Sequence, residues 1–151
     1  MHIGITISLM GENESLWING IKLNALFLSK TLQKTGHKVT ILDTGKNVKE
    51  ITKNTVKWDL KEFPCEKYSK VQHTVDLMIM LGTSFDTDSI KQWKLMGPNR
   101  KVIKYHCGNN YVIDMERSIF PKKGHRNSGA AAYQRGSVSY THLRAHETAI
   151  D

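Results

Sequence analysis

The fold of this chain is decided by His2-Ile-Gly-Ile-Thr-Ile-Ser-Leu-Met10 and by the loop and helical pattern that follow it. Large apolar residues alternate here with small ones, which predicts a strand whose second face allows close packing. From Gly20 the apolar residues recur every three or four positions, which predicts an amphipathic helix that stops at Gly36. The run Val39-Thr-Ile-Leu42 is again strand-like. Together these patterns predict a right-handed βαβ unit with parallel strands.

The rest of the chain alternates the same two patterns. A helix capped by Asp86 or Asp88 is expected before Gly97-Pro98, and a strand is expected at Lys101–His106. The other expected elements are a short helix at 48–54, a weak strand at 55–60, a helix at 66–73, a strand at 75–81 and a short helix at 111–120. This alternation predicts an α/β fold, a three-layer sandwich with a Rossmann-like, mostly parallel sheet.

Length and composition indicate one domain. The chain has 151 residues, of which 39% are hydrophobic, and no apolar run approaches the roughly 18 residues that a membrane span requires. The first predicted strand follows Met1 directly, so we expect no signal peptide and a cytoplasmic location. Cys65 and Cys107 lack the spacing of a metal site or a disulfide framework.

The carboxyl-terminal residues form a separate case. Residues 138–148, Val-Ser-Tyr-Thr-His-Leu-Arg-Ala-His-Glu-Thr, resemble a translated DNA-sequencing adapter, and we expect 138–151 to be a disordered artefact that packs on nothing. His142 and His146 are therefore not interpreted as metal ligands. Residues 121–137 are expected to be irregular, which leaves 1–120 as the Rossmann-like domain and makes the chain the amino-terminal fragment of a longer protein.

The charge is basic, with a formal net charge of +8. A basic balance is compatible with nucleic acids or other anionic ligands. Because the lysines are scattered and few aromatic residues lie among them, we expect a solvated face and no nucleic-acid partner.

Three loops follow predicted strands and should meet at one edge of the sheet: 11–20, 82–86 and 107–111. Ligands of open parallel sheets bind outside the carboxyl ends of the strands, so these loops predict a cleft. Polar loops are also common for structural reasons alone. A dinucleotide site is not favoured, because Gly11 and Gly20 are too far apart for the required tight turn, and Asp43 only imitates the ribose-binding acid. No cofactor and no metal are expected.

Two motifs carry a resemblance to a known family. Ser15-Leu-Trp-Ile-Asn-Gly-Ile21 and Gly108-Asn-Asn-Tyr-Val-Ile-Asp-Met-Glu-Arg117 resemble a bacterial domain-of-unknown-function family that is similar to glycosyltransferases of the two-Rossmann-domain (GT-B) type. The resemblance covers about 1–120. It implies that this domain shapes the acceptor side, while a second, carboxyl-terminal domain binds the nucleotide-sugar donor.

The candidate substrate-binding residues lie in the three loops and are Ser15, Trp17, Asn19, Gly20, Thr83, Ser84, Gly108, Asn109, Asn110 and Tyr111. Several have structural alternatives. Trp17 either stacks on an acceptor or packs as a hydrophobic staple, and Asn19 with Gly20 either binds an acceptor or caps the helix. His106 is a weaker candidate base, and the catalytic residues are unknown.

The resulting hypothesis is that the chain is the acceptor-side fragment of a GT-B-like glycosyltransferase. Its parent would transfer a sugar from a nucleotide-sugar donor to an unknown acceptor, without a membrane-spanning segment, and the fragment alone is expected to be inactive. The alternative is a non-catalytic α/β ligand-binding or regulatory domain.

Overall fold

The computed structural model describes residues 1–81, 83, 85–106 and 138–141, with side chains described up to residue 105. Two short 3₁₀ turns, Leu16–Ile18 and Gln72–Thr74, accompany the regular elements. In chain order the elements are β1 (His2–Ile7), α1 (Gly20–Lys34), β2 (Lys38–Asp43), β3 (Cys65–Lys67), α2 (Tyr68–Val71), β4 (Leu77–Met80), α3 (Thr87–Leu95), β5 (Lys101–His106) and β6 (Val138–Thr141).

The described strands form one sheet in the order β3-β2-β1-β4-β5-β6, and every pairing is parallel. This order is that of the doubly wound Rossmann fold, in which the chain first builds outward on one side of β1 and then on the other. The reversal places a topological switch point between β1 and β4. The predicted fold class, an α/β Rossmann-like parallel sheet, is confirmed.

Helices cover both faces of the sheet. On one face, Ile3, Ile5 and Ile7 of β1 pack in the same core cluster as Ala25 and Leu26 of α1. On the other face, buried residues of β4 and β5 pack in a second core cluster with Ile90 and Trp93 of α3. The two separate cores make a three-layer sandwich, as the sequence predicts.

The first βαβ unit forms where the sequence predicts it. The side chain of Asn19 caps α1 by accepting a hydrogen bond from the backbone N–H of Lys22 at 2.9 Å. Gly36, with φ of +82°, follows the helix in the left-handed conformation that favours glycine. Asp86 caps α3 in the same way as Asn19 caps α1, and β5 has the predicted bounds.

The stretch between β2 and β3 differs from the expectation. Residues 48–54 are not helical, and 55–60 do not form a strand; Val56 makes one isolated parallel bridge with Glu14. The third strand is instead Cys65–Lys67. Three residues are too few to give a readable alternation, and the apolar residues of the preceding stretch, including Val56, Trp58 and Leu60, pack on the α1 side of the sheet rather than within it.

The last described strand corrects another expectation. Val138–Thr141 pairs with Ile103–His106 of β5 in parallel register, so these four residues do not lie apart from the fold. The physical reason is that an edge strand presents unpaired backbone groups to any extended segment that reaches it. Residues 142–151 lie outside the described residues, and the adapter origin of the segment stays a prediction.

Candidate functional site

The carboxyl ends of the parallel strands converge at one edge of the sheet. Because β1 and β4 are parallel neighbours, the loops 11–20 and 82–86 leave the sheet at the same edge, as predicted. The third loop, 107–111, follows the carboxyl end of β5, but it lies outside the described residues. The switch point between β1 and β4 therefore opens between the first two loops.

Asp43, at the end of β2, organises one side of this edge. Its side chain is completely buried, and Oδ1 accepts hydrogen bonds from the backbone N–H groups of Leu9 and Gly45, both at 2.9 Å. Oδ2 accepts a hydrogen bond from Nζ of Lys67 at 2.7 Å. One carboxylate thus ties together the ends of β1, β2 and β3.

A second buried ion pair closes the first loop. Lys22, in the first turn of α1, donates to Oε1 of Glu14, and Oε2 of Glu14 accepts from the backbone N–H of Met10 at 2.7 Å. Both side chains are buried. Burial lowers the pKa of Lys22, and the nearby charge of Asp43 opposes that shift. The carboxylate of Glu14 therefore acts as an internal anion at the amino-terminal end of α1.

These two clusters occupy the positions at which a dinucleotide-binding domain of this fold contacts its ligand. The position of the ribose-binding acid is held by Asp43, whose oxygens already accept three hydrogen bonds from the protein. The first turn of α1, where a pyrophosphate would sit, is occupied by the Glu14–Lys22 pair. The interpretation that Asp43 only imitates a ribose-binding residue agrees with this geometry. The structural roles of Glu14, Lys22 and Lys67 were missed by sequence reasoning.

The switch point itself is lined by threonines. Thr6, fully buried in β1, donates from Oγ1 to the carbonyl oxygen of Thr83 at 3.0 Å and accepts from the backbone N–H of Leu81 at 3.3 Å. This contact fixes the loop after β4 to the end of β1. The Oγ1 atom of Thr83 is shielded from solvent and has no hydrogen-bond partner within the described part of the chain.

The candidates in the first loop occupy neighbouring positions. Ser15 accepts a hydrogen bond at Oγ from the backbone N–H of Trp17 at 3.2 Å, which caps the 3₁₀ turn, while Asn19 caps α1. Gly20 is the first helical residue and has open space where a Cβ would lie. The capping alternative for Asn19 is thus present, Ser15 also caps a turn, and the contribution of both residues to binding stays a prediction.

Trp17 lies largely outside the core. Its side chain is 65% exposed, whereas its neighbour Leu16 is fully buried and anchors the 3₁₀ turn in the core. This exposure disfavours the staple alternative for Trp17, and stacking on an acceptor stays a prediction. The other two described tryptophans are held inside the molecule, since the indole N–H of Trp58 donates to Phe63 and that of Trp93 donates to Gln72.

The remaining predicted site residues lie outside the described residues: Ser84, Gly108, Asn109, Asn110 and Tyr111. The backbone of His106 ends β5, and its side chain lies outside the described part of the chain. Among the residues with described side chains, no group of three His, Cys, Asp or Glu could hold a metal ion. Cys65 is buried, which raises the pKa of its thiol. No described helix is long and apolar enough to cross a bilayer.

Comparison with known proteins gives a family match. The model of a family described as "Protein of unknown function (DUF2827)" matches residues 3–135. The match continues beyond residue 120, so the expectation that the resemblance ends there is wrong, and it stops before β6. No curated protein matches the chain.

Two solved structures are distantly similar. One is an "alpha-glucosyltransferase in complex with UDP and a 13-mer DNA containing a HMU base", with 21% identity, a TM-score of 0.48 and coverage of 94% of this chain. This chain spans only 38% of that protein's length. The other is the "DNA/Pantothenate Metabolism Flavoprotein from Streptococcus pneumoniae", with 11% identity, a TM-score of 0.37, and coverage of 79% of this chain and 74% of that one. Both are too distant to assign a function.

Proposed function

The chain belongs to the DUF2827 family, and we propose that it is the acceptor-side, amino-terminal half of a GT-B-like glycosyltransferase. In this proposal the parent protein transfers a sugar from a nucleotide-sugar donor, which a second Rossmann-like domain binds. The half described by the structure holds the acceptor at the carboxyl edge of its sheet, in the crevice between β1 and β4.

The observation that carries the proposal is the exposed indole of Trp17 in the loop that follows β1. The indole does not stand alone, because Met10 is 73%, Trp17 65% and Ile18 63% exposed, and exposed apolar side chains grouped in one loop are typical of a binding site. The flat face of the indole suits the apolar face of a sugar ring. The same loop lacks a phosphate cradle, because Glu14 and Lys22 occupy the start of α1. This arrangement favours an acceptor over a nucleotide at this edge.

The switch point holds a second polar feature at the same edge of the sheet. Oγ1 of Thr83 is shielded from solvent and has no hydrogen-bond partner within the described part of the chain, and Thr6 holds the backbone of this residue. A ligand hydroxyl is the kind of group that such an atom binds. The combination of an apolar platform and a few fixed polar atoms is typical of small-molecule sites.

The proposal is tested by ligand-observed NMR of the purified chain with a panel of mono- and oligosaccharides. We expect saturation transfer to at least one saccharide, and we expect Trp17→Ala to abolish it. Leu95→Ala is the matched control. Leu95 is also highly exposed, at 86%, but it lies at the end of α3 and therefore near the opposite, amino edge of the sheet. Saccharide binding that survives Trp17→Ala, or no binding at all, would contradict an acceptor site here.

The chain alone should transfer no sugar. Stabilising the departing nucleotide requires donors placed where charge develops, and the proposal assigns these to the other domain. Incubation with nucleotide sugars and acceptors should give no product above background. Turnover that is lost on Trp17→Ala would refute this division of labour and make the chain a complete enzyme.

A further inference from the structure

The stretch 46–57, called the lysine segment below, lies beside the loop that carries Trp17. It follows β2 at the carboxyl edge and contains neither helix nor strand. Two backbone hydrogen bonds join it to the first loop: the N–H of Glu14 donates to Thr55 at 3.2 Å, and the N–H of Lys57 donates to Glu14 at 2.8 Å. The lysine segment and the loop that bears Trp17 therefore form one continuous surface.

The lysine segment is fixed in place although it is irregular. Val48 and Val56 are buried in the core on the α1 side of the sheet, and Thr55 is buried as well. The hydroxyl of Thr55 donates to the carbonyl oxygen of Glu50 at 2.9 Å. The backbone that carries the charges is thus anchored before any ligand arrives, which lowers the entropic cost of binding.

The segment carries a concentrated positive charge. Its only acidic residue, Glu50, lies 3.3 Å from Nζ of Lys70, so that a lysine from outside the segment offsets it. Within the residues whose side chains are described, the ion pairs do not include the four lysines of the segment. Those four lysines are all exposed: Lys46, Lys49, Lys53 and Lys57.

We propose that the acceptor bound at this edge is an anionic carbohydrate, a glycan that carries phosphate or carboxylate groups. Its charges contact the lysine segment while one of its sugar rings stacks on Trp17. This inference rests on the proposed acceptor function and adds the chemical class of the acceptor. The four lysines fall within twelve consecutive residues, and cations clustered in this way create a joint potential that attracts a polyanion.

The chemistry of the surface favours a glycan over a nucleic acid. Proteins that bind single-stranded nucleic acids offer several aromatic side chains on which successive bases stack. The first loop and the lysine segment expose one aromatic side chain in the described structure, that of Trp17. The cations of the segment are lysines, which act as point charges and lack the planar fork with which arginine reads phosphates and bases.

The test compares three forms of one polymer: uncharged dextran, carboxymethyl dextran and phosphorylated dextran. Binding to the chain is measured by isothermal titration calorimetry at low and at physiological salt. We expect the two charged forms to bind about tenfold more tightly than the uncharged form at low salt, with an advantage that shrinks as salt rises. An oligo-dT strand of similar charge serves as the nucleic-acid probe and should bind more weakly than the charged dextrans.

The matched variants remove equal charge from the two edges of the sheet. Replacing all four lysines of the segment by Gln should abolish the preference for charged dextran. The control replaces four exposed lysines near the amino edge by Gln and should keep that preference: Lys34, Lys38, Lys61 and Lys101. Circular dichroism checks folding, and the double variant Lys53→Gln/Lys57→Gln should give an intermediate loss.

The outcomes separate this inference from the proposed function. Equal losses in the two quadruple variants would overturn it, because net charge alone would then explain binding, and so would tighter binding of oligo-dT. If uncharged dextran binds as tightly as the charged forms, and Trp17→Ala abolishes this binding, the acceptor function stands but the anionic class of the acceptor is overturned. Charged-dextran binding that requires the four lysines but not Trp17 would overturn the acceptor function and leave the anionic surface.

Discussion

The two edges of the parallel sheet are built differently. At the amino edge, His2 is held by the backbone carbonyl of Thr74 at 3.0 Å and the hydroxyl of Thr40 at 2.9 Å, while its backbone N–H donates to Asp76 at 2.7 Å. At the carboxyl edge, buried ion pairs hold the backbone, but Trp17 is left in water.

The comparison teaches which contacts serve the fold and which are free for ligands. The polar groups that hold the two edges in place are paired within the chain, and the carboxyl edge also carries the exposed indole of Trp17 and Oγ1 of Thr83, which has no partner in the described part of the chain. Ligands of this fold class bind at that edge, because the loops there can change while the sheet keeps its geometry.

The largest effect is expected for Asp43→Ala. The change removes the acceptor of two backbone N–H groups and leaves the partly buried ammonium of Lys67 without its carboxylate. Breaking a buried pair in this way costs about 3–5 kcal/mol of the free energy of unfolding. Urea denaturation followed by circular dichroism measures it.

The control for Asp43→Ala is Glu50→Ala. Glu50 and Lys70 are both well exposed, so removing that pair should cost about 0–1 kcal/mol. If the two variants lose similar stability, the carboxyl edge is not organised by Asp43.

A smaller effect is expected for Gly4→Ala in β1. A Cβ at this position would overlap Cδ1 of Leu42, in the core on the α2 and α3 side of the sheet. Overpacking of this kind costs about 1–3 kcal/mol. The matched glycine is Gly20, where a Cβ would meet open space at the start of α1, and Gly20→Ala should stabilise the chain by about 0.5–1 kcal/mol. Destabilisation of both variants to the same degree would show that close packing at Gly4 is not the cause.

The contrast between these two glycines shows what sequence reasoning could reach. Alternation in β1 correctly predicts that Gly4 lies on the close-packed face, but the close approach comes from the neighbouring strand residue Leu42 rather than from a helix. Local patterns predict β1, α1, β2 and β5, because each is long enough to show its period. The three-residue β3 is too short for that signal.

The site was predictable only in part, for a related reason. Parallel strands determine which loops share an edge, so the positions of loops 11–20 and 82–86 follow from the alternation of elements. The partners of buried charges do not follow from it. The two pairs have no helical or strand spacing: Asp43 meets Lys67 because β2 and β3 are neighbouring strands, and Glu14 meets Lys22 because the first loop folds back on the first turn of α1.

The free energy of unfolding should depend on His2, at the amino edge, as pH falls. Burial, with the charge of Lys38 as a second cause, lowers the pKa of His2 below 6.5. His2 therefore binds a proton more readily in the unfolded chain than in the folded one. The stabilising contribution of neutral His2 is present above pH 6.5 and is lost as pH falls below that value. His2→Gln should flatten this part of the stability profile between pH 7.5 and about pH 5. An unchanged profile would mean that other groups dominate this range.

The smallest effect on stability, and the sharpest test of the comparison, is expected for Trp17→Ala. A side chain that lies largely outside the core contributes little to folding, so the free energy of unfolding should change by no more than about 0.5 kcal/mol. Trp93→Ala is the control with the same chemical change. Trp93 is 1% exposed, packs in the core around α3 and donates its indole N–H to Gln72, so its removal should cost about 3–5 kcal/mol. Because the two variants remove identical atoms, the difference between them measures the burial of Trp93 together with its hydrogen bond and its contact with Arg100. A loss of 2 kcal/mol or more in Trp17→Ala would mean that this indole supports the fold, and the carboxyl edge would then lose the residue that most favours a ligand there.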